Sequence, residues 1–255
     1  MVGAQLRYAE RVIDEGSGSP LLFLHHFGGS GRTWWQVIER LVHRHRCVAP
    51  DLPGFADASD LPTSYTTAAT ADWVIAIIRE LGVLNYRIIG HSMGGKIALA
   101  IAARRPLGLR ELILLAPSPP TPEPISVSDR THLLASWGNR DALEAVIEKI
   151  TVRPLRRSEK EQLLSDMLAT SKAAWRAWLT EGSREDISGS VHRILVPVTI
   201  LCGACDDTIP AEVLRRELLA RLPSSAMTIL PDAGHLLPVE THEEVAATIL
   251  RSISP

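Results

Sequence analysis

Short apolar segments alternate with longer amphipathic segments along most of this sequence, and that alternation most constrains the fold. Strand-like runs are predicted at 21–26, 46–52, 86–91, 111–117, 194–203 and 226–234. Helical patterns lie between or after them, at 33–44, 68–82, 93–105, 211–222 and 243–253. The strand-like runs are continuously apolar, as expected when helices cover both faces of a parallel sheet. The sequence therefore predicts an α/β protein with a mostly parallel central sheet flanked by helices.

The alternation stops between about Ser118 and Gly189. This stretch opens with the proline-rich turn PSPPTPEP and continues as helical patterns near 128–137, 139–150, 158–170 and 172–182. We expect residues 118–190 to form a helical cap inserted after the fourth strand–helix repeat, with a core built from 1–117 and 191–255. An insertion at the carboxyl ends of parallel strands lies over the crevice where ligands bind in such sheets.

Composition excludes several classes of function. The 255 residues are 45% hydrophobic and 22% charged, with a formal net charge of −2. That charge creates no field that would attract nucleic acid or an anionic membrane. No apolar run approaches the ~20 residues of a membrane span, and no basic region followed by an apolar stretch marks a signal peptide. We expect a cytoplasmic protein that binds neither nucleic acid nor membrane; the oligomeric state cannot be inferred from the sequence.

The cysteines give only a weak signal for redox or metal chemistry. There are three, Cys47, Cys202 and Cys205, an odd count that does not suggest a disulfide framework. Cys202 and Cys205 form a single C-x-x-C pair, and no second pair is present to complete a metal site. We therefore expect no metal and no cofactor.

Residues 90–94 read GHSMG, which matches the pattern G-x-S-x-G immediately after a predicted strand and before a predicted helix. Glycines on both sides of Ser92 allow a tight turn that would expose its hydroxyl at the helix N-terminus. A glycine turn with a capping serine would look the same. Ser92 is therefore a candidate nucleophile that needs a base and an acid from elsewhere in the chain.

Both partners occur later in the sequence. Asp206 in LCGACDDTIP follows a predicted buried strand, and His235 in LPDAGHLLP follows the next strand. In the chain order Ser…Asp…His, His235 would accept the proton of Ser92 while Asp206 orients the imidazole.

The segments LHHFGGSGRTW, DLPGF, GHSMGG, GACDDTIP and DAGHLLPVE span residues 21–240. In this order they resemble the landmarks of the α/β-hydrolase superfamily, in particular the carboxylesterase-like serine branch with a helical cap. The resemblance implies the α/β-hydrolase fold and a catalytic triad of Ser92, Asp206 and His235. It selects Asp206 over the adjacent Asp207 by the spacing from Gly203. In DLPGF it implies that Asp51 and Gly54 shape a loop beside the site.

The resemblance also implies an oxyanion hole formed by the backbone N–H groups of Met93 and Phe27. An alternative register makes Gly28 the second donor. His26 occupies a position usually held by glycine, so a positive φ there would strain the loop. His26 is either a plain loop residue or a substrate contact.

The candidate substrate-binding residues are His26, His91 beside the predicted nucleophile, and Trp137 of the predicted cap. Trp175 or Trp178 of the cap could also line an apolar pocket.

A serine nucleophile with a histidine base suits acyl transfer, so the main hypothesis is hydrolysis of a small-to-medium carboxylic ester. The partner would be a small-molecule ester or a related acyl substrate. A serine at position 92 argues against a haloalkane dehalogenase or an epoxide hydrolase, because these members of the superfamily carry an aspartate at the corresponding position. A lactonase or a carbon–carbon bond hydrolase would use the same triad. A cofactor-free perhydrolase, a lyase and a small-molecule receptor stay open as further alternatives.

Overall fold

One sheet of seven strands runs through the protein, whose computed structural model describes residues 12–59 and 64–253. Along the sheet the order is β1-β3-β2-β4-β5-β6-β7, and the six strands from β2 to β7 are mutually parallel. The strands are β1 (Val12–Glu15), β2 (Ser19–Leu24), β3 (His45–Pro50), β4 (Tyr86–His91), β5 (Leu109–Leu115), β6 (Val198–Gly203) and β7 (Ser225–Leu230). The expected α/β-hydrolase fold, with its mostly parallel sheet, is confirmed.

Strand β1 is not predicted by the sequence pattern. This strand has only four residues, two of them exposed, and it pairs antiparallel with β3 at the edge of the sheet. A strand this short and polar lacks the continuous apolar run that marked the others.

Helices cover both faces of the sheet. Alternate side chains of β2 point to opposite sides: Leu22 and Leu24 join one apolar core, while Leu21 and Phe23 join the other. Helices α2 (Thr67–Glu80) and α3 (Met93–Ala103) pack together on the first side. Helices α1 (Trp35–Leu41) and α11 (His242–Ile253) pack together on the second.

The predicted helix at 211–222 is found at 211–219, but it changes from α-helical to π-helical geometry along its length. An α-helical turn, α9 (Ala211–Leu214), continues as the π-helical turn Arg215–Leu219. Short α10 (Leu237–Glu240) then precedes α11. No helix in the two described ranges has both the length and the apolar character needed to cross a bilayer.

Between β5 and β6 the chain is helical and adds no strand to the sheet. The helices are α4 (Val127–Ser136), α5 (Arg140–Ile150), α6 (Arg157–Ala169), α7 (Lys172–Thr180) and α8 (Ser188–Val191). Ser126, Asn139 and Ser171 each accept a hydrogen bond from a backbone N–H in the first turn of a helix, which explains where α4, α5 and α7 begin. We refer to 118–190 as the cap; its exact bounds stay a prediction.

The buried Lys96 on α3 joins the two ends of the cap. Its Nζ donates to the carbonyl of Thr121 at 3.3 Å and to that of Glu185 at 2.6 Å. Close by, the Ile187 N–H donates to the Pro120 carbonyl at 2.7 Å. Burial lowers the pKa of Lys96, and nearby carboxylates partly offset that effect. The helix that follows Ser92, α3, therefore also holds the entrance and exit of the cap.

Candidate active site

Ser92 lies on a strained turn between β4 and α3. Its φ of 51° and ψ of −117° place a non-glycine residue in a region that costs about 1–3 kcal/mol. The flanking glycines make the turn possible, because a Cβ on Gly90 would lie 2.6 Å from the Gly94 carbonyl oxygen. A Cβ on Gly94 would lie 2.3 Å from the Leu24 carbonyl oxygen. The backbone therefore holds Ser92 in an orientation that an unstrained turn would not give.

A continuous chain of hydrogen bonds links Ser92, His235 and Asp206. The Ser92 Oγ lies 2.9 Å from His235 Nε2, and His235 Nδ1 lies 2.7 Å from Asp206 Oδ2. Because a carboxylate can only accept, Nδ1 carries the proton and Nε2 of the neutral ring accepts from the serine hydroxyl. The other Asp206 oxygen accepts from the backbone N–H groups of Thr208 and Ile209, at 2.8 and 3.0 Å. Asp206 is thereby fixed in position, whereas the adjacent Asp207 is exposed.

The pKa of His235 reflects two opposing effects. Burial lowers it, but the nearby Asp206 carboxylate more than compensates, so the pKa lies above its ordinary value. Glu123 and Glu240 raise it further. The site therefore favours the charged imidazolium that forms when the ring accepts a proton.

The loop after β2 is held by His25. Its Nε2 accepts from the Leu52 N–H at 2.9 Å, and its Nδ1–H donates to the His26 carbonyl at 2.8 Å. The Asp51 carboxylate accepts from the backbone N–H groups of Gly31 and Asp57, at 2.7 and 3.1 Å. These contacts connect the loop after β2 to the loop after β3.

His26 does not have the strain considered for it, because positive φ falls on Gly28 (77°) instead. The His26 ring lies against Gly29, where a Cβ would approach its Cε1 and Nδ1 to 2.6 Å. The absence of a side chain at position 29 thus makes room for the imidazole. Burial holds the pKa of His26 well below its ordinary value, and the nearby His25 and His235 lower it further.

A cavity of about 100 Å³ opens beside Ser92 and His235, between the core and the cap. From the core it is lined by His26, Phe27, Ser92, Thr208, His235 and Leu236. From the cap it is lined by Glu123, Ile125, Leu133, Val146, Ile147, Ile150, Leu163, Met167, Trp175, Trp178 and Leu179. The lining is largely apolar, and Ser92 is part of it.

Two of the three candidate substrate-binding residues lie elsewhere. His91 is fully buried behind the site, and its Nε2–H donates to the His235 carbonyl at 2.8 Å. Trp137 does not line the cavity; its Nε1–H donates to the Thr170 carbonyl at 2.9 Å. Trp175 and Trp178, the other cap tryptophans considered, line the cavity instead. Helical spacing could not tell which indole faces inward, because the cap's packing decides that.

Sequence reasoning missed Glu123, a carboxyl group on the cavity wall. Its only signal was its position as the one acidic residue in PSPPTPEP. Among the described residues, no group of three histidine, cysteine or acidic side chains could hold a metal ion. All three cysteines are free; Cys202 is buried and Cys205 exposed.

Comparison with known proteins agrees with this fold. A Bacillus subtilis (strain 168) protein, provisionally named a 2-succinyl-6-hydroxy-2,4-cyclohexadiene-1-carboxylate synthase, is 29% identical over 92% of this chain and 90% of its own. A soluble epoxide hydrolase of Corynebacterium sp. (strain C12) is 26% identical over 97% of this chain and 94% of its own. The solved esterase from Exiguobacterium antarcticum superposes with a TM-score of 0.87 at 20% identity, covering 94% of each chain.

The model of the alpha/beta hydrolase family matches residues 21–248, from the first predicted strand to the final helix. The matched range contains the strained turn at Ser92. It also contains His235, which is hydrogen-bonded to Ser92, and Asp206, which is hydrogen-bonded to His235. This protein belongs to the alpha/beta hydrolase family.

Proposed function

We propose that this protein is a serine hydrolase that cleaves small carboxylic esters through an acyl-enzyme on Ser92. The observation that carries the proposal is the hydrogen-bonded series Asp206–His235–Ser92, which ends at an apolar cavity. The similar proteins include an epoxide hydrolase and an esterase, so membership of the family does not by itself identify the substrate as an ester. We infer an ester substrate because the Ser92 hydroxyl, on the turn between β4 and α3, is hydrogen-bonded to a neutral imidazole nitrogen of His235.

In the first half of the reaction, Ser92 Oγ attacks the ester carbonyl carbon while His235 Nε2 accepts the hydroxyl proton. The carbonyl π electrons move to oxygen, and the resulting oxyanion accepts hydrogen bonds from backbone N–H groups. His235 then gives its proton to the alcohol oxygen as the carbon–oxygen bond breaks. Asp206 holds the ring orientation and stabilises the imidazolium throughout.

In the second half, a water molecule takes the place of the alcohol. His235 Nε2 accepts its proton as the water oxygen attacks the acyl carbon, and a second tetrahedral oxyanion forms. The proton returns to Ser92 Oγ as the acyl-enzyme bond breaks, which releases the carboxylic acid and regenerates the serine.

The oxyanion donors in this proposal are the N–H groups of Phe27 and Met93. Neither donates a backbone hydrogen bond within the described ranges, so both are available. Phe27 lines the cavity, and Gly28 is not among the lining residues. The choice of Phe27 over Gly28 rests on this lining and on the register of the family resemblance.

The size of the cavity limits the substrate. About 100 Å³ is smaller than the ~150 Å³ engineered cavity that binds benzene, and well below the ~300–1,000 Å³ of pockets for drug-sized ligands. We expect acetyl to butyryl esters to react faster than octanoyl esters, because a long chain would have to displace cap side chains such as Leu163 and Met167.

The test is intact-mass analysis after fluorophosphonate treatment, together with rates on p-nitrophenyl esters of increasing acyl length. Wild type should gain one adduct and Ser92→Ala none. Ser136→Ala is the matched control, because this buried serine on α4 donates only within its own helix and lies outside the cavity lining. It should label like wild type. Absence of an adduct on wild type would refute the nucleophile.

Labelling without turnover of any p-nitrophenyl ester would keep Ser92 as the nucleophile but refute the assignment as an ester hydrolase.

A further inference from the structure

Glu123 places a carboxyl group in a cavity whose lining is otherwise largely apolar. Its backbone is fixed where the chain enters the cap, since its N–H donates to the Ser183 carbonyl and its own carbonyl accepts from the Ile125 N–H, both at 2.8 Å. The same cavity is lined by Ser92 and His235. A molecule bound at Ser92 therefore shares one small space with this carboxyl group.

Lys96 and Arg130, which act on Glu123 through space, make their hydrogen bonds elsewhere. Lys96 Nζ donates to the backbone carbonyls of Thr121 and Glu185, as described above. The Arg130 guanidinium donates through Nη1 to the Leu179 carbonyl and to Ser183 Oγ. Both cations act on Glu123 through space, but neither donates a hydrogen bond to its carboxylate in the described part of the chain.

The charge balance at Glu123 is incomplete as a result. Burial raises the pKa of Glu123, and the Ser118 hydroxyl, Lys96, His235 and Arg130 together offset only part of that effect. A carboxylate in an apolar cavity is stabilised most by a cation that donates a hydrogen bond to it. An apolar substrate would desolvate the carboxylate further without replacing its lost hydration.

We propose that Glu123 selects esters that carry a protonated amine, whose N–H donates to the Glu123 carboxylate while the ester carbonyl lies against Ser92. This inference rests on the proposed function and adds the substrate class. Glu123 is a specificity-determining residue in this scheme. It neither accepts nor donates a proton in the transfers between Ser92 and His235, and its effect on the pKa of His235 is common to both esters of a matched pair.

Matched pairs of esters test the proposal. 2-(Dimethylamino)ethyl acetate and 3-methylbutyl acetate have the same shape but differ by one protonated nitrogen in the alcohol. Ethyl 4-(dimethylamino)butanoate and ethyl 5-methylhexanoate differ in the same way in the acyl group. The measured quantity is the ratio of kcat/KM, amine ester over its hydrocarbon counterpart, in wild type, Glu123→Gln and Glu123→Asp.

We expect Glu123→Gln to lower this ratio by about 10- to 100-fold in at least one pair, the range of a hydrogen bond between charged groups. Glu123→Asp keeps the charge and should retain part of the ratio. Glu181→Gln removes an exposed carboxyl from the same cap and should leave the ratio unchanged. Fluorophosphonate labelling of Ser92 in each variant shows that the site is still assembled.

A binding readout separates failure of this inference from failure of the proposed function. 2-(Dimethylamino)ethanol should raise the Tm of wild type more than 3-methyl-1-butanol does, and this difference should vanish in Glu123→Gln. Ratios and Tm shifts that are the same in wild type and Glu123→Gln, with Ser92 still labelled, would overturn the role of Glu123 and leave the ester hydrolase standing. A Tm difference that depends on Glu123 without labelling of Ser92 would keep the amine site and overturn the hydrolase.

Discussion

Three buried, uncharged histidines beside the candidate active site make the stability of this protein sensitive to mild acid. Burial lowers the pKa of His25 to about 4, and it holds the pKa values of His26 and His91 well below their ordinary value. In the unfolded chain each returns to about 6.5. As the pH falls below that value, the unfolded chain binds protons that the folded protein does not, so stability is lost.

The size of the loss follows from these shifts. Between about pH 7.5 and pH 5.5, one such histidine lowers the free energy of unfolding by about 1.4 kcal/mol, and three lower it by about 4 kcal/mol. That is a large part of the ~5–15 kcal/mol typical of a domain. The raised pKa of His235 has the opposite sign: its contribution is complete below about pH 6.5 and is lost as the pH rises.

Buried carboxyl groups also oppose the loss. Burial raises the pKa values of Asp51 and Asp166, so the folded protein takes up their protons first as the pH falls. The total loss in wild type is therefore smaller than the three histidines alone would give. The difference between wild type and a variant that lacks one histidine does not depend on these groups.

The assay is urea unfolding at the two pH values, on wild type and His26→Gly. The substitution restores the glycine expected at this position and removes one buried imidazole. Whatever its effect at pH 7.5, its loss on going to pH 5.5 should be about 1.4 kcal/mol smaller than that of wild type. His192→Gly removes an exposed histidine and should show the wild-type loss. Equal losses in wild type and His26→Gly would refute the reasoning.

Two further substitutions test the site and the cap. Asp206→Asn should lower kcat about 10⁴-fold and shift the acid limb of kcat/KM to lower pH, because Asp206 raises the pKa of His235. Asp207→Asn should change neither; an unshifted acid limb in Asp206→Asn would contradict the assigned pairing. Lys96→Met should lower the free energy of unfolding by about 2–5 kcal/mol in urea titrations, because two carbonyls lose their donor. A loss below about 1 kcal/mol would contradict the role given to Lys96.

The strands and helices of the core could be predicted because their periodicity is local. β4 was expected at 86–91 and is found there, and α2 and α3 begin within one residue of their predicted starts. Periodicity failed where the segment was short, as at β1. It located the helix that begins at Ala211 but did not reveal the π-helical turn at Arg215–Leu219. A four-residue strand is stabilised by its neighbour β3, and no pattern within the strand itself records that pairing.

The candidate site, like the fold, is partly predictable from the sequence and partly decided by the tertiary structure. The motif around Ser92 and the order of the three residues are written in the sequence, so Ser92, Asp206 and His235 could be nominated without coordinates. Whether they meet depends on the adjacency of β4, β5, β6 and β7 in the sheet. Because the loops that follow parallel strands lie at one edge, residues up to 143 positions apart come within 2.9 Å.

The pocket could not be predicted from the sequence. Trp137 and Trp175 look alike as residues on a helix face, and only the packing of the cap places Trp175 on the cavity wall and turns Trp137 towards Thr170. Glu123 had no periodicity to mark it, and its position depends on how Lys96 and Ser183 hold the entrance of the cap. The sequence alone determined the α/β fold class, because local periodicity encodes it. It also nominated the reacting groups, through the motif around Ser92 and the resemblance to the α/β-hydrolase superfamily. The tertiary structure alone decided which side chains face a bound molecule, because that depends on contacts between residues far apart in the chain.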